Sequence, residues 1–147
     1  MTSKTGFAIR SPDKAAEADN DLLAAAVKAA RNAYAPYSHF LVGMALRARS
    51  GAIYAGANVE NVSYPVGSCA ETATLAAAQT AEGKALTVDN ALVYAESGGE
   101  QQPCSPCGAC RQRLVEFNPK LLITFFTSER SWITVPADEL LPFAFRF

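Results

Sequence analysis

The sequence predicts an α/β domain in which a β-sheet carries helices on its faces. Three observations predict it. Apolar patterning alternates along the chain in the order α-β-β-α-β-α-β-β-α. One strand candidate, "KLLITFFT" (120–127), is so apolar that it reads as buried on both faces. The chain has 147 residues, 50% of them hydrophobic and 18% charged, which suits a single domain with one sizeable core.

The elements follow in order. Residues 1–18 are polar and read as loosely ordered. "DNDLLAAAVKAARNAY" (19–34) is a helix. Asp19 or Asn20 caps it, Leu22, Leu23, Ala26, Val27, Ala30 and Tyr34 fall at helical spacing, and Pro36 ends it. "FLVGMALRA" (40–48) and "AIYAGANVE" (52–60) form a hairpin around Ser50 and Gly51. "NVSYPVGS" is a loop, and "CAETATLAAAQTAEG" (69–83) is a helix with Gly83 at its C-cap. "DNALVYAE" (89–96) is a strand, "SGGEQQPCSP" (97–106) a long loop, and "CGACRQRLVEF" (107–117) a helix. After the strand over 120–127, "SWITVPADELLPFAFRF" gives a short strand, a helical turn started by Pro136 and an aromatic tail.

Bulk properties narrow the function. A net charge of -1 gives no sign of the basic face that grips nucleic-acid phosphates. No uncharged apolar run approaches the roughly 20 residues of a membrane span. The first residues carry no apolar leader-like stretch, so a cytoplasmic location is expected. In that compartment the four cysteines read as metal ligands or reactive thiols rather than disulfides.

Cys69, Cys107 and Cys110 all sit where a loop becomes a helix. Helix starts offer unpaired N–H groups and a partial positive charge, which stabilise thiolates. Two helix starts aimed at one point hold a divalent cation with three sulfurs and leave the fourth position open, the mark of a catalytic zinc site. Glu71 follows Cys69 by two residues. It is badly placed to share the ion but able to reach a water on it, as a general acid/base must. On spacing alone, Cys107 and Cys110 read equally as a structural zinc or redox pair, and Cys104 forms a CxxC with Cys107. His39, the only histidine, reads as a solvated loop residue, and Phe40 also reads as ordinary core.

"CAE" (69–71) with "PCGACRQ" (106–112) resembles the zinc signature of the cytidine deaminase family. "YAPYSHFLVG" (34–43), "NVENVSYP" (58–65) and "ELLPFAF" (139–145) resemble that family's substrate and C-terminal segments. The resemblance spans almost the whole chain. It implies a three-layer α/β/α fold with a five-stranded mixed sheet, and a single catalytic domain over 1–147. It also implies one Zn²⁺ per subunit and a homotetramer with shared active sites. The implied reaction is hydrolytic deamination of cytidine and 2′-deoxycytidine, in pyrimidine salvage, with neither nucleic acid nor membrane as partner. Carried across residue by residue, Cys69, Cys107 and Cys110 bind the zinc, and Cys104 is a bystander. Glu71 moves protons from the attacking water to N3 and then to the departing amine. The N–H of Ala70 holds O2, and the carbonyl of Ser105 faces the leaving ammonia. Asn58 and Glu60, alternating at a strand end, hold the ribose hydroxyls, and Phe40 packs on the pyrimidine face. Tyr64 and Phe145 reach a neighbouring subunit's pocket.

Two positions depart from the pattern. Thr72 stands where many three-cysteine members carry an arginine, so the negative charge of a three-thiolate cluster must be offset by Arg111, the helix N-termini or another cation. The tail ends in Phe145, Arg146 and Phe147 rather than the family's "FGP". The alternatives are a deaminase of another aminopyrimidine nucleoside of the blasticidin-S type, a catalytically idle zinc-binding relative, and a thiol redox protein using Cys104 and Cys107.

Overall fold

The computed structural model describes residues 19–147; the reading of 1–18 as loosely ordered lies outside them. Helix α1 (Asn20–Ala30) buries Leu22, Ala26 and Ala30, one apolar face at four-residue spacing. It ends a turn earlier than its sequence pattern suggests, and no side chain caps its start. Tyr34 is not helical: its N–H donates to the Asn58 carbonyl, and its carbonyl accepts from the Glu60 N–H. Pro36 disfavours helix just before it, and this cross-chain pairing draws the segment into an extended path.

Strands β1 (Leu41–Ala48) and β2 (Ile53–Ala57) form the expected hairpin, with Gly51 at φ 95° in the turn. Helix α2 (Ala70–Glu82) follows, then β3 (Val88–Ser97). Within the segment read as a long loop, β4 (Glu100–Gln101) folds straight back on β3. Gly98 and Gly99 make that reversal, at φ 61° and 81°, the positive-φ pair a two-residue hairpin requires. Helix α3 (Gly108–Phe117), β5 (Leu122–Phe126), β6 (Trp132–Pro136) and the short α4 (Ala137–Leu140) complete the fold.

The sheet order is β2-β1-β3-β5-β6, with β4 as a side branch on β3. Only β3 and β5 pair in parallel, so the sheet is mixed. Side chains alternate across it. Val42, Met44 and Leu46 of β1 join Ala91, Val93 and Ala95 of β3, Ile123 and Phe125 of β5, and residues of α2, α3 and α4 in the main core. Ala45 and Leu92 face the opposite side and pack on Leu22 and Ala26 of α1. Met44, Leu46, Leu114 and Ile123 are fully buried; each such side chain stabilises the fold by about 1.5–3 kcal/mol.

Two glycines set the layer spacing. A Cβ on Gly43 would lie 1.9 Å from the Ala26 carbonyl oxygen, so α1 rests directly on β1. A Cβ on Gly56 would lie 2.7 Å from the Thr74 nitrogen, so α2 also lies close on β2, though less tightly.

This topology aims two helix starts at one place. β1 runs antiparallel to both β2 and β3, so β2 and β3 run the same way. Helix α2 comes after β2 and α3 after β3. Both helices therefore begin at the carboxyl end of the sheet, where open α/β sheets bind their ligands.

Candidate active site

At that end the Sγ atoms of Cys69, Cys107 and Cys110 all lie within 4.8 Å of one another. A tetrahedral zinc with Zn–S of about 2.3 Å requires S···S separations of about 3.8 Å, so the donor set fits one zinc ion. Cys69 is the N-cap of α2 and Cys107 the N-cap of α3, while Cys110 is buried in α3's first turn. Neither N-cap cysteine spends its side chain on capping its own helix.

The electrostatics point to a cation as well. Burial pushes the Cys69 and Cys110 thiols above their ordinary range, and the Glu71 carboxylate adds to the rise at both. Burial opposes ionisation of Cys107 too. There, hydrogen bonds from the Cys110 backbone and from the Cys110 and Cys69 thiols prevail, and its value falls. A divalent ion removes this conflict by ionising coordinated thiols outright. Cys104 stands apart from the three-sulfur group. Burial pushes its thiol up to about 12, which keeps it neutral.

Glu71, in the first turn of α2, is 4% exposed. Burial raises its carboxyl above the ordinary glutamate range, partly opposed by its own N–H, the Cys110 thiol and the charge of Arg113. A carboxyl raised in this way holds a proton more readily than an ordinary glutamate, which suits a group that must take one up and return it. Arg111 does not serve as the cluster's counter-cation by any hydrogen bond to sulfur. Its Nε donates to the Pro106 carbonyl at 2.7 Å and its Nη1 to the Leu140 carbonyl at 2.9 Å, tying the α3 start to α4. The two helix N-termini and the charge of Arg113 remain.

A cavity of about 530 Å³ opens from this cluster, within the usual range for a small-molecule site. Cys69, Ala70, Glu71, Ser105 and Cys107 border it, as do Asn58, Glu60 and Tyr64. The sequence reading placed Asn58 and Glu60 on a strand end, but β2 stops at Ala57. They keep one side because Val59 between them is extended, exchanging two backbone hydrogen bonds with Ser68 at 2.9 Å. Asn58 is pinned to the start of β1: its Oδ1 accepts from the Val42 N–H and its Nδ2 donates to the Phe40 carbonyl, both at 2.9 Å. Glu60 Oε1 accepts from the Tyr37 and Ser38 N–H groups at 3.0 and 3.1 Å, and Oε2 from the Ser38 hydroxyl at 2.6 Å. The Ser38 hydroxyl bond is the chief reason the Glu60 carboxyl lies below its ordinary range. Each side chain keeps spare capacity: one amide hydrogen on Asn58 and one lone pair on Glu60.

Phe40 is the residue expected on a substrate face. It does not border the cavity and packs against the main core; Val42 borders the cavity instead. His39 just before it sits at φ 55°, so the chain turns there and the strand alternation begins only afterwards. His39 is exposed and belongs to no metal-binding group among the described residues. Tyr64 is 76% exposed, borders this chain's own cavity and meets the Tyr37 ring edge-on, with centroids 6.0 Å apart. Phe145 is exposed, stays outside the cavity and packs on Phe147. Ser38 and Val42 lie in segments matched from sequence, yet neither was singled out. A buttressing hydroxyl carries no periodic signal, and an apolar strand residue reads as core.

The family model for the cytidine and deoxycytidylate deaminase zinc-binding region matches residues 16–126. The cytidine deaminase of Halalkalibacterium halodurans is 40% identical over 127 residues, covering 84% of this chain and 91% of the relative. That of Mycobacterium tuberculosis is 39% identical over 127 residues, covering 86% and 88%. The crystal structure of cytidine deaminase from Burkholderia pseudomallei superposes with a TM-score of 0.73 at 38% identity, covering 86% of this chain and 98% of that one. With these matches across most of its length and a three-sulfur centre beside a buried glutamate, the chain belongs to the cytidine and deoxycytidylate deaminase family.

Proposed function

We propose that this chain is a cytidine deaminase, a single catalytic domain that hydrolyses cytidine and 2′-deoxycytidine to uridine and 2′-deoxyuridine with release of ammonia, in pyrimidine salvage. The carrying observation is the convergence of three sulfurs and buried Glu71 on a cavity that Asn58 and Glu60 also border. Cys69, Cys107 and Cys110 would hold the zinc, which would supply the Lewis acid that makes water nucleophilic near neutral pH. Glu71 takes a proton from the attacking water and delivers it to N3 of the pyrimidine; it then takes the proton of the new C4 hydroxyl and gives it to the amine, which leaves as ammonia while the C4 carbonyl forms. The N–H of Ala70, free at the start of α2, holds O2. The Ser105 carbonyl accepts from the leaving ammonia. Asn58 and Glu60 use their spare hydrogen-bonding capacity on the ribose hydroxyls, already oriented by β1 and by Ser38.

The active form is a cytoplasmic homotetramer with shared sites. Exposed Val62, Tyr64 and Val66, together with Phe145 on the tail, support this assembly; apolar surface of this kind is the substance of subunit interfaces. Tyr64 and Phe145 reach the neighbouring subunit's cavity. The test is ultraviolet absorbance of purified protein with a panel of cytosine nucleosides, alongside metal analysis. Stoichiometric zinc with conversion of cytidine is expected. Full zinc with no ammonia from any aminopyrimidine would overturn the reading.

A further inference from the structure

Two chemically unlike segments border the cavity. One is the start of α2, where Ser68, Ala70 and Glu71 border it and the helix's first N–H groups have no intrahelical acceptor. The other is the segment leading into α3, where Cys104 and Ser105 border the same space. Cys104 is held rigidly: its N–H donates to the Phe126 carbonyl on β5 at 3.0 Å, and its side chain packs against the main core. Its sulfur is not part of the three-sulfur group, so its side chain serves the cavity only as surface.

A cytosine ring with C4 at the sulfurs has two different edges to place. N3 and O2 accept hydrogen bonds, whereas C5 and C6 carry only hydrogen. Matching acceptors to free N–H groups turns the N3–O2 edge to α2, and the C5–C6 edge then faces away from it. Val42 belongs to the sugar end of the cavity, since its N–H is held by Asn58 Oδ1 at 2.9 Å. Cys104 belongs to the metal end, three residues before Cys107 and next to Ser105. C5 is bonded to C4, so the side chain it meets is that of Cys104.

We propose that Cys104 is a specificity-determining residue whose side chain sets the size of the 5-substituent accepted on the pyrimidine. The inference rests on the cytidine reading and adds which substituted cytidines the site admits. The test compares kcat/KM for cytidine and 5-methylcytidine in wild type, Cys104→Ala and Cys104→Val, with zinc content and Tm measured on each protein. The 5-methylcytidine-to-cytidine ratio should rise with alanine and fall about tenfold with valine, the effect of about one methyl group in a fitted pocket. Alanine introduces no atoms that can clash, so it remains informative if valine perturbs folding. A ratio that stays within about twofold of wild type in the alanine variant, while wild type deaminates cytidine, would overturn the role of Cys104 and leave the cytidine reading standing. A zinc-loaded wild type inert toward both nucleosides would overturn both.

Discussion

Glu71 is the side chain on which the proposed chemistry turns, and its removal should separate metal binding from turnover. Glu71→Ala keeps all three sulfurs, so zinc content should be unchanged while kcat falls roughly 10²- to 10⁴-fold; metal analysis and steady-state rates check both halves. Ser38 acts at one remove. Its hydroxyl holds Glu60 Oε2, so Ser38→Ala should raise KM for cytidine several-fold and leave kcat nearly intact. Glu60 also ties stability to pH. Its folded value lies below the ordinary glutamate range, chiefly through the Ser38 hydroxyl. The unfolded chain therefore binds the proton more readily. This contribution is fully present above the unfolded value, about 4.3, and is lost as pH falls through the folded one. Thermal melts from about pH 6 to pH 3 should show a shallower acid decline in Glu60→Gln than in wild type.

Helices α1 and α2 press on the sheet through single glycines, with different consequences. Gly43→Ala drives a Cβ into the backbone of α1 and should cost about 1–3 kcal/mol, or more where the helix cannot shift, read by denaturant unfolding. Gly56→Ala pushes instead on the backbone of α2, the helix that starts at Cys69 and carries Glu71. It should weaken zinc retention against a chelator as well as stability. The long elements were legible in the sequence because each buries a periodic stripe: Leu22, Ala26 and Ala30 announce α1, and the apolar run of β5 announces a central strand. Two features were not legible. β4 has only two residues, too few for an alternation to register. The end of α1 is decided by distant Asn58 and Glu60, whose backbones pair with Tyr34, and local propensity carries no information about that pairing.

Across the whole molecule, the metal centre was far easier to read than the cavity beside it. Three cysteines at helix starts with a glutamate two residues on form a pattern that sequence displays directly. Whether Phe40 or Val42 faces the cavity depends on the turn at His39 and on where β1 lies against its neighbours, which only the folded chain determines. The exposed aromatic residues were visible as residue types, and the proposed assembly gives them a role. Light scattering should give a mass about four times the chain's 15.6 kDa. Tyr64→Ala should raise KM or weaken that assembly, since the same ring borders the cavity and lies 76% exposed.

Because Cys69 and Cys107 stand at the heads of separate helices without capping them, one ion bound by both would fasten the two leading turns to each other. Stripping it with a chelator should let both fray together, and amide exchange should quicken at Ala70–Ala73 and Gly108–Arg111 while the central strands stay protected.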